Sequence, residues 1–81
     1  MDKKIEYLKQ TEFKEKFAKK IKERMAALSI DAFELSYRTK INMCSIYNYL
    51  SCKSQPNVYN FYKICKALHI KPSNFADVFF N

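Results

Sequence analysis

Between residues 11 and 28 the chain combines apolar residues with lysines and glutamates in a regular pattern. The apolar residues recur at nearly every fourth position, which places them on one face of an α-helix. They are Phe13, Phe17, Ile21, Met25 and Leu28. Thr11 has the side chain of a helix N-cap, so we predict that this first helix begins there. Residues 2–9 either extend the helix or form a separate turn.

A second helix is predicted over residues 32–39. Asp31 and Glu34 have the spacing of a capping box, in which each side chain bonds to the backbone amide of the other residue. The inner side chains of this helix are Phe33 or Leu35 and Ser36. The second helix is thus expected to start at a well-defined residue.

A third helix follows the second at a distance of only three residues. Asn42 is its N-cap, and the helix covers about residues 43–51. The apolar spacing turns one set of side chains inward, namely Ile46, Tyr49 and Leu50. The opposite face presents Met43, Cys44, Tyr47, Asn48 and Ser51.

Two more helices complete the predicted fold. Pro56 ends a loop, and Asn57 caps a fourth helix. Its inward residues are expected to be Val58, Phe61, Ile64, Cys65 and Leu68. Pro72 lies in the first turn of a fifth helix, which contains Phe75, Val78 and Phe79. No segment alternates with period two, so we predict an all-α fold of five short helices around one core, in a single domain.

The charged residues beyond the first helix are largely of one sign. From Leu35 to Ala76 the chain has no acidic residue, and its cations are Arg38, Lys40, Lys53, Lys63, Lys66 and Lys71. A solvated helical face normally mixes both signs, whereas a surface that faces phosphates needs one. Together with a net charge of +7 over 81 residues, this favours a polyanionic partner.

The side chains needed for other functions are absent or badly spaced. Cys44, Cys52 and Cys65 form no CxxC pair and His69 is the only histidine, so we predict reduced, inert thiols and no metal site. The lack of a glycine-rich phosphate loop or a nucleophile–base pair predicts no enzymatic activity, no cofactor and no small-molecule substrate. The chain has no long apolar run and no signal core, which favours a cytoplasmic protein without membrane contact.

Several short motifs occur in one register along the chain. They are Leu35-Ser36, Ile41-Asn42, Ile46, the loop from Lys53 to Pro56, and the run from Phe61 to Ile70. The last run is similar to the sequence Leu-x-Lys-Ile-Ala-Lys-Ala-Leu-x-Val of a known family. In this arrangement the chain resembles the lambda repressor-like, Cro/C1-type (XRE family) helix-turn-helix domains, with helices two and three forming the motif. The resemblance covers about residues 17–78 of a single domain over residues 1–81, with residues 1–10 as an N-terminal extension.

The resemblance implies sequence-specific binding of double-stranded DNA by a small transcriptional regulator of bacterial or phage type. The third helix would lie in the major groove. The positions that meet base edges in the family correspond here to Met43, Cys44, Tyr47 and Asn48. Family members generally bind as dimers to paired half-sites, which leaves a homodimer open. Its candidate surface is formed by Phe75, Val78, Phe79 and Phe80, although core packing of Phe75 and Phe79 is the alternative.

Contacts to DNA phosphates are expected around the third helix. The N-terminus of a helix favours an anion because of its free amides and its dipole. Lysine, arginine and hydroxyl side chains beside the helix can hold the duplex without reading its sequence. The candidates are Arg38, Lys40, Asn42, Ser45, Ser51, Lys53, Ser54 and Lys63.

Three positions depart from the family pattern. Lys40 replaces a glycine of the turn, where the backbone often needs a positive φ angle, so Lys40 is either strained or part of a different turn. Met25 and Leu50 replace an ion pair, which predicts an apolar contact between them. Ala32 replaces a glutamine that commonly touches DNA.

A second interpretation starts from the outer face of the third helix, which is largely apolar and has no Arg, Lys or Gln. Such a face suits a protein partner as well as DNA. The alternative is therefore a protein–protein interaction module on the same fold, antitoxin-like or anti-repressor, with little or no DNA binding. A largely apolar reading helix is compatible with both hypotheses.

Overall fold

The structure of the protein is a computed structural model, which describes the backbone of residues 3–76 and the side chains of residues 10–76. It contains four α-helices, α1 (Lys3–Leu28), α2 (Ala32–Thr39), α3 (Met43–Leu50) and α4 (Val58–Leu68), followed by a 3₁₀ helix over Pro72–Phe75. The all-α class is confirmed. The fifth helix is 3₁₀ over the described residues, and α1 is long, with 26 residues. Of the candidates for a dimer surface, Phe75 is buried in the core, which is the alternative predicted for it, and Val78, Phe79 and Phe80 lie outside the described residues.

Thr11 is not the N-cap of α1, because the helix is continuous from Lys3; of the two alternatives for the preceding residues, extension of the helix is the one observed. The segment before Thr11 consists largely of good helix formers, and threonine is tolerated inside a helix at a small cost. Thr11 therefore lies about two turns into α1. The predicted inner stripe of this helix does face the core, with Phe17 and Ile21 fully buried.

Three short side-chain hydrogen bonds define the starts of the other α-helices. The Oδ1 atoms of Asp31, Asn42 and Asn57 accept hydrogen bonds of 2.8, 2.8 and 2.7 Å from the backbone N–H groups three residues further on. Each bond satisfies a first-turn amide that has no partner within its helix. The predicted N-caps Asp31, Asn42 and Asn57 are confirmed. The capping box at α2 is only half formed, since Glu34 accepts from Arg38 instead (Oε2 to Nε, 2.8 Å).

The turn between α2 and α3 depends on Lys40. This residue adopts the left-handed conformation, with φ 62° and ψ 24°, and its N–H donates to the carbonyl of Ser36 at 2.8 Å. The hydroxyl of Ser36 in turn donates to the carbonyl of Ile41. The chain thus keeps the backbone geometry that glycine usually supplies, although a lysine pays a steric cost there.

The described helices share one hydrophobic core. It includes a group of phenylalanines, three buried and one (Phe61) partly buried, in which every pair of ring centroids is 5.5–5.9 Å apart. They are Phe13, Phe17, Phe61 and Phe75. From α3, Ile46 and Tyr49 are buried in the same core, and Leu50 packs against it. Met25 of α1 is also buried in this core. A direct contact between Met25 and Leu50 remains a prediction.

Two residues settle or correct the predicted inner faces. In α2 the inward residue is Leu35, which is fully buried, and Phe33 is 68% exposed. The prediction that Val58 faces inward is wrong, because 73% of its side chain is exposed. Val58 is the first residue of α4 and projects beyond the edge of the core, which the later residues Ile64, Cys65 and Leu68 fill.

No helix within residues 3–76 has both the length and the hydropathy to cross a bilayer. Among the described side chains, no group of three or more His, Cys, Asp or Glu residues is placed to hold a metal ion.

Candidate nucleic-acid interface

The outer face of α3 is open to solvent because the opposite face is fixed to the core. Ile46 is fully buried, and the hydroxyl of Tyr49 accepts a hydrogen bond of 3.1 Å from Nδ2 of Asn60 in α4. The predicted base contacts therefore lie away from the core to different extents. Cys44 and Tyr47 are exposed, the latter by 54%, whereas Met43 and Asn48 are half-buried. The most prominent side chain of this face is Tyr47.

The N-terminal end of α3 presents backbone amides beside small polar side chains. Asn42 is exposed and caps the amide of Ser45, so the side chain of Asn42 already has a partner. The amides of Met43 and Cys44 come before the first residue that can bond within the helix, and they lie at the positive end of the helix dipole. This arrangement suits an oxygen of a phosphate group.

The C-terminal end of α3 is held by one carbonyl group. The oxygen of Asn48 accepts the N–H groups of Lys53, at 2.9 Å, and Ser54, at 3.3 Å. It also lies 3.4 Å from the hydroxyl of Ser51, which donates to it. Between these residues Cys52 adopts a positive φ of 64°, which turns the chain back toward the helix end. Three predicted phosphate contacts, Ser51, Lys53 and Ser54, are thereby fixed next to α3.

The remaining predicted phosphate contacts lie elsewhere, in a groove between the C-terminal end of α2 and one face of α4, along which the lining runs from Tyr59 to Ala67. We call this the cationic groove. It has a volume of about 630 Å³ and is lined by Arg38, Thr39, Lys40, Tyr59, Lys63, Lys66, Ala67 and His69. Lys66 is not among the predicted phosphate contacts, although it follows Lys63 by three residues and so shares its helix face. None of the lining residues belongs to α3.

Two lysines of the cationic groove lie over tyrosine rings. Nζ of Lys40 is 5.1 Å from the ring centroid of Tyr37, and Nζ of Lys63 is 4.5 Å from that of Tyr59. These distances are typical of cation–π contacts, which leave the ammonium group with its full charge. The third cation, Arg38, pairs with Glu34 on the surface of α2, and exposed pairs of this kind contribute little to stability.

The three cysteines have different environments. Cys44 is exposed on α3, Cys52 is half-buried, and Cys65 is buried within the core. Burial raises the pKa of the Cys65 thiol from 9.0 to about 11, because a thiolate would lose its hydration there. Cys65 is therefore a neutral thiol at physiological pH and acts as a small apolar residue.

Comparison with known proteins gives one family match. The family described as Cro/C1-type HTH DNA-binding domain matches residues 20–79, which include α2, α3, α4 and most of the core. No curated protein and no solved structure gives a significant match to the chain.

Proposed function

The chain belongs to the Cro/C1-type helix-turn-helix DNA-binding domain family, and we propose that it is a sequence-specific regulator of transcription, of bacterial or phage type. In this proposal the domain acts in the cytoplasm by binding double-stranded DNA and not by catalysis. The observation that supports it best is the outer face of α3, which is free on a helix whose inner face is packed. An α-helix presented in this way fits the major groove of B-DNA.

The base contacts follow from the chemistry of that face. The side-chain amide of Asn48 can pair with N6 and N7 of adenine, which is the usual match for asparagine. Met43 and Cys44 offer apolar surface to a thymine methyl group, and the hydroxyl of Tyr47 can bond to a base edge or a phosphate. A face with one amide and several apolar groups favours A·T-rich half-sites.

The phosphate contacts would position the domain without reading sequence. Asn42 and Ser45 lie at the N-terminus of α3, and Ser51, Lys53 and Ser54 lie at its C-terminal end. Backbone contacts at both ends of a reading helix fix its register in the groove. The other predicted phosphate contacts, Arg38, Lys40 and Lys63, would add charge from the cationic groove.

A protein partner is the second candidate, and a specific feature of α4 supports it. The exposed side chains of Val58 and Tyr62 flank an apolar pocket of about 340 Å³ between α1 and α4. No charged residue lines this pocket, and aromatic side chains without charged neighbours are typical of the core of a protein contact. This surface suits a second copy of a strongly cationic chain, because it adds no repulsion between like charges. The homodimer would then bind two half-sites about one helical turn apart.

The experiment that tests DNA reading is selection from a random duplex library at low and at moderate salt. We expect an enriched motif, and binding that weakens as salt is added. Tyr47→Ala and Asn48→Ala should reduce affinity for that motif while leaving the helical content and the thermal midpoint close to wild type. Ile46→Ala is the matched comparison on the buried face, where loss of the side chain should cost about 2–5 kcal/mol of stability.

Two results would contradict the proposal. Failure to retain any duplex at low salt would favour the protein-interaction module. Enrichment of a motif whose recognition is unaffected by both Tyr47→Ala and Asn48→Ala would remove α3 as the reading element. Sedimentation of the free protein tests the dimer separately, since a monomeric mass at all concentrations counts against it.

A further inference from the structure

We propose that the cationic groove between the C-terminal end of α2 and the facing side of α4 is a second DNA-binding surface, which holds a phosphodiester strand without any residue of α3. Its cations are Arg38, Lys40, Lys63 and Lys66. The inference rests on the proposed function only in that its ligand is duplex DNA. It goes beyond that function by joining separate contacts into one surface, by adding Lys66, and by making this surface independent of base reading.

The positive charge of the cationic groove exceeds what the fold itself requires. Arg38 and Lys66 lie in the last turns of their helices, where cations offset the helix dipole. Each helix end carries only roughly half a negative charge, and Glu34 offsets one further charge of the four. About two positive charges are therefore left over, on a surface whose lining residues include no carboxylate.

Three of the last four carbonyl groups of α4 already accept hydrogen bonds. The N–H of His69 donates to the carbonyls of Cys65 and Lys66, and Nε of Arg24 donates to the carbonyl of Leu68 at 3.0 Å. The groove lysines are thus not needed as C-terminal caps of this helix. Their ammonium groups remain available for an external anion.

The tyrosine rings hold two of the lysines on opposite sides of the cationic groove. Lys40 extends over Tyr37 at the end of α2, and Lys63 extends over Tyr59 on α4. A lysine on a ring loses less side-chain freedom when it binds a phosphate than one that is fully mobile in water. Lys66 and His69, both exposed, continue the surface beyond them. Four cations, contributed by α2, the turn after it and α4, match the repeated charge of a DNA strand better than they match a single small anion.

The test compares two double variants of the full chain that lose the same charge. Lys63→Gln with Lys66→Gln removes two cations of the cationic groove. Lys19→Gln with Lys20→Gln is the matched control, because these lysines lie on α1 in a cluster that contains Glu23. Binding to a random-sequence duplex is measured by fluorescence anisotropy over a range of salt concentrations, and thermal unfolding checks that both variants are folded. Lys66→Gln alone is a milder variant, since Lys66 is exposed.

We expect the groove variant to bind the random duplex more weakly and to lose about 1.8 from the slope of log affinity against log salt, since each lost phosphate contact removes about 0.9. Lys66→Gln alone should lose about half of that, and the control should keep the wild-type slope. Equal effects of the two double variants would overturn the proposal, because net charge alone would then explain them, and so would an unchanged groove variant. Weaker binding of the groove variant without any enriched motif supports this surface while refuting sequence reading by α3. An enriched motif together with unchanged binding of the groove variant would support sequence reading and refute the cationic groove as a DNA-binding surface.

Discussion

The guanidinium of Arg24 donates a hydrogen bond of 3.0 Å, through Nε, to the backbone carbonyl of Leu68. The two residues are 44 positions apart, at the end of α1 and the end of α4. The last carbonyls of an α-helix have no partner within it, and a cation is favourable at the negative end of its dipole. Arg24 thus serves α4 as a C-terminal partner supplied by α1.

We therefore predict that Arg24→Met lowers the free energy of unfolding by about 1–3 kcal/mol, the range for a buried acceptor that loses its donor. Methionine keeps much of the aliphatic stem, so the loss reflects mainly the hydrogen bond. Urea denaturation measures it. Lys22→Met, at an exposed position of the same helix, is the control and should change stability by less than about 0.5 kcal/mol. Equal values for the two variants would mean that the bond to Leu68 contributes nothing.

The second prediction uses the contrast between Cys44 and Cys65. Iodoacetamide should label Cys44 in the folded protein, because its thiol is exposed on α3, and should label Cys65 only in denaturant. If α3 reads DNA, a saturating duplex that carries the selected motif should slow the labelling of Cys44. Chymotryptic peptides followed by mass spectrometry separate Cys44 from Cys52, since Tyr47 and Tyr49 lie between them.

Cys65 is the internal control for that experiment, since its labelling after denaturation should not depend on the duplex. A random duplex at the same concentration controls for reagent depletion. If Cys44 reacts at the same rate with and without the selected duplex, the base-contact assignment of Cys44 fails. The assignment of Tyr47 and Asn48 would then depend on their own variants.

Local sequence signals predicted the helix starts well. Asp31, Asn42 and Asn57 each bond within their own first turn, so their role depends on three neighbouring residues and on little else. The prediction of an N-cap at Thr11 failed because threonine is also tolerated inside a helix. Whether it caps a helix or lies within one depends on the residues before it. Positive φ at Lys40 was foreseen only as one of two alternatives.

Features that depend on distant parts of the chain were harder to predict. The exposure of Val58 follows from where the core ends, and the helical period alone cannot show that. The cationic groove requires the end of α2 to pack beside α4, which the sequence pattern does not show. The stretch without acidic residues predicted the positive charge of this region but not the groove. The outer face of α3 was predicted from the inward spacing of Ile46 and Tyr49, because those residues leave only one free side.

The last prediction concerns the pH dependence of stability and follows from the pKa of Cys65. The thiol has a pKa of about 11 in the folded protein and 9.0 as the ordinary value, so between these pH values the unfolded chain loses a proton that the folded protein keeps. The unfolded state then binds fewer protons, and stability falls as pH rises through this window, by up to about 3 kcal/mol. Below pH 9 this contribution is fully present.

Lysines and tyrosines also titrate above pH 9, so the measurement must isolate Cys65. Cys65→Ala removes the thiol, while the other groups remain and titrate in both proteins. We expect the variant to be less stable at pH 7, because it loses buried volume, and to lose less stability than wild type between pH 9 and 11. Chemical denaturation at several pH values gives both curves. Parallel curves would show that the Cys65 thiol is no harder to ionise in the folded protein than in the unfolded chain, and burial would then not explain its inertness.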